Sequence, residues 1–217
     1  MRGDELLKVS PEVPQWQDYR SSSIAMVVFY AGDPISELPI REVPEELPSA
    51  VVQDPHYESG TYGLYACARS QIRNAFVKSK TRYLVFLTRY VGTKADFRDK
   101  YFITGYYLVA KTADVKKLHI RYGTDYSCID EQSCPALRAS ERRFVAIEDA
   151  FAVTDAVMKS WNFNGRVTRQ TRVVLDEQKT AEVIDYLKSK PDATALYTAE
   201  TTRLQPHIAE ETAEEEA

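Results

Sequence analysis

Two arginines four positions apart, Arg69 and Arg73, follow closely on Gly60-Thr61-Tyr62-Gly63. On a helix the pair stacks one turn above the other, and guanidinium forks held in that register match phosphate oxygens bidentately. The two glycines permit a tight turn that brings the free N–H groups of a first helical turn close to an anion. Tyr62 and Tyr65 supply flat rings beside that turn. A second pair, Arg89-Tyr90, ends one strand-like run, and Tyr101-Phe102 begins the next. A hairpin would bring these residues to one rim, where stacking on a base is worth roughly 1 to 3 kcal/mol. Arg69, Arg73, Tyr62, Tyr65, Arg89 and Tyr90 are therefore the candidate ligand or nucleic-acid-binding residues. Against this stands the ordinary reading, in which charged helix positions form a solvated face and strand tyrosines fill the core.

The charge distribution tilts that balance. The formal net charge is -4, yet residues 66–121 hold 13 Lys+Arg against 3 Asp+Glu, while the segments on either side are each acidic by 7. Of the 14 tyrosines, 10 fall between Tyr57 and Tyr126. Positive charge interleaved with rings suits a nucleic acid or nucleotide partner. Arg166, Arg169 and Arg172 form a smaller basic cluster; on a strand, Arg166 and Arg172 share a face and could lengthen a phosphate track.

Other chemistry is poorly supported. Cys128 and Cys134 are separated by five residues, outside the tight pairs of a structural zinc site, and Cys67 lies near the apolar stripe of its helix, where a thiol is inert. His56 and His119 complete no nucleophile. Asp130-Glu131 and Glu148-Asp149 read as loop and helix-cap carboxylates. The sequence thus calls for no catalytic residue, no metal and no cofactor. Three unevenly placed cysteines make no disulfide framework, and the charged first ten residues do not resemble a signal peptide. The longest apolar run near the N-terminus, Ile24 to Ala31, is far below the ~20 residues of a membrane span. The expectation is a soluble cytoplasmic protein with no membrane partner.

The elements that position these residues follow from periodicity. Seven of the ten prolines precede residue 56 and bracket one strand-like run, Ile24 to Tyr30, so residues 32–59 read as a long Pro-rich insertion. Leu64, Ala68, Ile72, Ala75 and Phe76 make one helical stripe. Arg82–Val91 and Tyr101–Lys111 read as antiparallel strands with both faces apolar, hence covered on two sides, and Gly105 marks a bulge or bend. Farther on, the pattern predicts a strand near Lys117–Tyr122, a loop over 121–137, a short strand Phe144–Ile147, a helix over 149–161 and a strand Arg166–Leu175. Asp176 is an N-cap for a helix over 177–190, and Asp192 caps a last helix to about Leu204. The final residues, with five Glu between 210 and 217, read as a disordered acidic tail.

Three stretches together carry a resemblance: Gly60-Thr-Tyr-Gly-Leu-Tyr-Ala-Cys-Ala-Arg-Ser-Gln-Ile-Arg-Asn-Ala-Phe76, Tyr83-Leu-Val-Phe-Leu-Thr-Arg-Tyr90 and Tyr101-Phe-Ile-Thr-Gly-Tyr-Tyr-Leu-Val-Ala-Lys111. Over about residues 24–121 the chain resembles the PUA-like barrel superfamily, and most closely its nucleotide-modification-associated domains. The resemblance implies an α+β fold with a small PUA-like β-barrel, flanking helices and a helical C-terminal extension. Residues 1–175 would form the barrel domain with its insertion at 32–59, residues 176–205 a helical extension packed on it, and 206–217 the tail. Arg69, Arg73 and the Tyr62/Tyr65 turn carry over as ligand contacts. The Gly-x-Lys-x-x-x-x-Arg run of the ASCH branch is not found, and Trp16 and Trp161 lie outside the matched stretch, so no YTH-type aromatic cage is placed.

The expected function is binding of nucleic acid or a modified nucleotide through a basic, tyrosine-rich surface, with no catalysis assigned. Two alternatives stand beside it: a hydrolase acting on a modified nucleoside on the same scaffold, and a protein-interaction module. Nothing in the sequence separates DNA from RNA or sets an oligomeric state.

Overall fold

The computed structural model describes residues 15–30, 55, 60–63, 70–115, 121–122, 126–127, 134–168 and 170–197. Its centre is a mixed sheet of eight strands: β1 (Gln17–Asp18), β2 (Ala25–Phe29), β3 (Thr61–Tyr62), β4 (Tyr83–Arg89), β5 (Tyr101–Val115), β8 (Cys134–Phe144), β9 (Phe151–Val153) and β10 (Arg172–Leu175). Two further short strands, β6 (Arg121–Tyr122) and β7 (Tyr126–Ser127), pair with each other. The main path runs β10-β2-β4-β5-β8-β3, with β1 and β9 joined to β5. The β2–β4 pair is parallel and every other ladder is antiparallel. A parallel pair needs a crossover, and helix α1 (Ser70–Lys78) lies in it.

The expected closed barrel is overturned. The path starts at β10 and ends at β3, these two strands do not pair, and the sheet is open. What the sequence shows in β2, β4 and β5 is apolarity on both faces, and closure is only one way to bury it. Here two separate cores bury it instead. Ala25, Val27, Val85, Leu87 and Ile103 face one side, where α3 (Glu177–Lys188) contributes Val183, Ile184 and Leu187. Met26, Val28, Leu84 and Phe86 face the other, against Ile72 and Phe76 of α1. Strands covered by helices on both faces read as continuous apolar runs, whatever the topology.

The 15-residue β5 is the spine. It pairs with β4 over residues 101–108 and with β1 at Lys111 and Thr112, and with β9 over residues 101–103 and β8 over residues 105–115. The bulge expected near Gly105 is present, since Phe86 pairs with Gly105 but Leu87 pairs with Ile103, leaving Thr104 extra. That buried threonine meets the hydroxyl of Tyr30 at 2.5 Å.

Several elements differ from the sequence reading. Within the stretch expected as a loop over 121–137, the described residues are strand: β6, β7 and the start of β8, which spans eleven residues, Cys134–Phe144. The helix expected over 149–161 is a 3-10 turn (Ile147–Asp149), β9, and a short α2 (Asp155–Ser160) capped by the Thr154 hydroxyl. The strand expected from Arg166 is only Arg172–Leu175. Asp176 does cap α3, accepting the Lys179 N–H at 2.9 Å, and α3 ends at Lys188. The C-terminal end of α3 is tied to β8 by Arg143, whose guanidinium donates to the carbonyls of Leu187, Lys188 and Lys190. A following turn of helix at 194–197 buries Tyr197 against Phe144, with its hydroxyl donating to the Val145 carbonyl at 3.0 Å. Among the described residues, no helix is long and apolar enough to cross a membrane.

Candidate functional site

The four sequence-derived candidates among the described residues do not meet at one surface. Arg69 and Tyr65 lie outside the described residues, as do Cys67, Cys128, His56, His119 and Arg169. Arg73 is only 1% exposed, and its guanidinium donates to the Gly63 carbonyl. Gly63 has φ +79°, and a Cβ there would fall on the Arg73 side chain, so the glycine makes room for the arginine. Tyr62 is buried in the α1-side core with its ring 6.2 Å from that of Phe86. Tyr90 is buried in the opposite core, edge-on to Phe97, with its hydroxyl accepting the Lys94 N–H at 3.2 Å. Arg89 is exposed and ion-paired to Asp99 at 2.5 Å. Arg73 and Tyr62 thus hold the α1 layer to the sheet, while Arg89 and Tyr90 close the β4–β5 loop on the far side.

The other end of β4 is different. Helix α1 stops in a tight turn in which the Thr81 N–H donates to the Phe76 carbonyl and the Lys80 N–H to that of Val77. Lys80 occupies the left-handed position of this turn (φ 52°), a common way to end a helix. Lys78, Lys80 and Arg82 therefore alternate along an exposed junction between helix and strand. The segment Tyr19–Ile24 is laid alongside by backbone bonds: Tyr19 N–H to Ala110 O at 2.7 Å, Ser22 N–H to Lys80 O at 2.7 Å and Arg82 N–H to Ile24 O at 2.9 Å. That pairing brings exposed Arg20 to the same rim. On the next rung the ladders align Asp18, Lys111 and Arg138 across β1, β5 and β8.

Aromatic rings are set into this rim. The Arg82 guanidinium is 5.7 Å from the centroid of half-buried Tyr83, and Arg138 is 5.7 Å from Trp16. Tyr83 is steadied from below by an edge contact with Tyr106 at 5.8 Å. Burial, reinforced by the hydrogen bond to Glu141, pushes the Tyr106 hydroxyl well above the ordinary tyrosine range, so it stays a donor at neutral pH.

The electrostatics of the rim come from what does not pair. Among the described residues, Arg20, Lys78, Lys80, Arg82 and Arg138 make no ion pair, and Lys111 reaches Asp18 only at 4.0 Å. Away from the rim, Arg89, Lys94, Lys179 and Lys188 each have a carboxylate partner, whereas exposed Arg98, Lys100, Lys159, Arg166 and Arg172 make no ion pair among the described residues and are spread over other parts of the chain. On the α3 side the rim is bounded by Glu177, which takes the Ser23 hydroxyl. Exposed cations without local counter-charge attract polyanions, and rings under guanidinium groups offer stacking faces.

Among the described residues, no group of three His, Cys, Asp or Glu is placed to hold a metal ion. Arg166 is exposed in the loop before β10 and Arg172 lies on β10, so they do not share a strand face. The rim residues were open to view in the sequence as Lys78-x-Lys80-x-Arg82, but the addition of Arg20, Lys111 and Arg138 depends on pairings between distant segments. No family model, curated protein or solved structure matches this chain.

Proposed function

We propose that this protein binds nucleic acid along the basic rim, with phosphates on Arg20, Lys78, Lys80, Arg82, Lys111 and Arg138 and a base or sugar face against Tyr83 or Trp16. The observation that carries this reading is the gathering of six cations at one end of the sheet, five of them without an ion pair among the described residues and Lys111 paired with Asp18 only at 4.0 Å, in a chain whose net charge is -4. Such contacts recognise the backbone rather than base edges, so the binding is expected to be weakly dependent on sequence.

The test is equilibrium binding of labelled single-stranded and duplex oligonucleotides, DNA and RNA, over a range of salt. With four to six phosphates neutralised, affinity falls roughly 10² to 10³-fold between about 50 and 200 mM salt. Absence of binding to every oligonucleotide at the low-salt end, or binding that ignores salt, overturns the reading.

A further inference from the structure

One edge of the sheet is unpartnered among the described residues: β10 is the last strand of the path, and its only pairing is with β2. The strand alternates, with Val173 and Leu175 buried and Arg172 and Val174 exposed. Val174, at 49% exposure, is one of the few large apolar side chains open to solvent among the described residues. Unprotected strand edges invite pairing with another chain, and natural edges are usually blunted by proline, lysine or a bulge. The run Arg172-Val-Val-Leu-Asp176 has a single cation, no proline and no register shift against β2.

The orientation of the backbone fixes how such an edge can be used. Ile24 O accepts from Arg82 and Tyr83 on the β4 side, so alternate residues of β2 from Ala25 onward direct their polar groups toward β10. With Val27 opposite Val173 and Ala25 opposite Leu175, the N–H and C=O groups of Val173 and Leu175 turn inward. Those of Arg172 and Val174 turn outward, and Asp176 continues the extended backbone (φ -67°, ψ 175°).

We propose that β10 pairs antiparallel with β10 of a second copy of this chain, about a two-fold axis at Val174. In that register Val174 lies opposite its own counterpart, and Arg172 of each copy lies opposite Asp176 of the other. The outward groups of residues 172 and 174 and the N–H of Asp176 then face the second copy as an antiparallel ladder requires, while the Asp176 carbonyl stays with the Thr180 N–H at 2.9 Å in the first turn of α3. The charge match is self-complementary, as a two-fold interface demands. Shifting the axis to Val173 would leave Arg172 opposite Val174, with no charge match. Asp176 keeps an exposed carboxylate in its role as α3 cap, where Lys179 already holds it below the usual carboxylate range, so it is ionised when Arg172 arrives.

A contact of this length is small, so association is expected at roughly 10 to 100 μM rather than as an obligate dimer. Analytical ultracentrifugation of the full chain across that range shows a monomer–dimer equilibrium, and Val174→Lys, which places two ammonium groups at the axis, weakens it at least about tenfold. Val174 is half exposed, so the variant's melting curve should match that of the parent, showing that folding is not the cause. Val174→Cys cross-links to a covalent dimer under mild oxidation, while Arg172→Cys, facing Asp176, cross-links at no more than the level of the parent chain. A parent chain that stays monomeric throughout, a Val174→Lys variant that dimerises equally well, or preferential cross-linking from position 172 overturns the proposal.

Discussion

Reversing two neighbouring rim charges, Lys80→Glu together with Arg82→Glu, lowers affinity for an oligonucleotide by about two orders of magnitude at about 50 mM salt. The figure follows from counterion release. Each neutralised phosphate contributes roughly 0.7 to 0.9 to the slope of log affinity against log salt, so losing two contacts lowers the logarithm by about 2 at that salt relative to 1 M. Repulsion from the new carboxylates adds to the loss. The variant folds, because both side chains are exposed, neither makes an ion pair among the described residues, and Lys80 already holds its left-handed turn without being glycine. Fluorescence anisotropy on parent and variant at several salts measures both effects; the salt slope of the variant should be shallower by about two. An Arg89→Glu variant should lose far less, since Arg89 lies at the other end of β4 and is already neutralised by Asp99.

Gly105→Ala is expected to destabilise the fold by about 3 kcal/mol or more, at the upper end of what overpacking costs. The reason is steric and not torsional. A Cβ at Gly105 would run into the Arg143 carbonyl and the edge of the Phe144 ring. The carbonyl belongs to the β5–β8 ladder and cannot turn away without breaking it. The ring is enclosed by Phe86 at 5.5 Å, Tyr107 at 5.9 Å and Tyr197 at 4.9 Å, so it cannot swing aside either. For a chain of this length the loss lowers the melting temperature by roughly 6 to 12 °C. Gly165→Ala serves as the control, because a Cβ there meets only Phe163 at ordinary contact distance, 3.5 Å. Equal melting temperatures for the two variants would show that the sheet yields at the bulge more easily than this packing suggests.

The elements easiest to read in the sequence are those whose burial is simple. β4 and β5 announce themselves through unbroken apolar and aromatic runs, and α3 through Val183, Ile184 and Leu187 at helical spacing after the Asp176 cap. β8 is hidden because its side chains serve other elements. Arg143 ties down α3, Glu141 receives the Tyr106 hydroxyl and Lys188, and Arg138 lies over Trp16, so the strand carries little apolar signal. Closure could not be read at all, since two-sided burial is the same in a barrel wall and in a sheet flanked by helices.

The candidate site shows the same limit. Spacing marks Arg73 as a helix-face cation, but the missing side chain at Gly63 opens a place for it inside, next to the apolar stripe of Ile72 and Phe76. Arg89-Tyr90 and Arg82-Tyr83 are the same dipeptide at the two ends of one strand, and nothing local distinguishes them. The difference arises from their neighbours: Asp99 and Phe97 engage the first pair, whereas the second opens onto a rim completed by Arg20, more than sixty residues away in sequence.

Lysine acetylation of the full chain with and without saturating oligonucleotide, read by mass spectrometry, tests the proposed interface most directly. Lys78, Lys80 and Lys111 should be protected, while Lys100 and Lys159, at the opposite end of the sheet near β9 and α2, should react as before. Unchanged reactivity at the three rim lysines, or equal protection at Lys100 and Lys159, would contradict nucleic-acid binding at the rim.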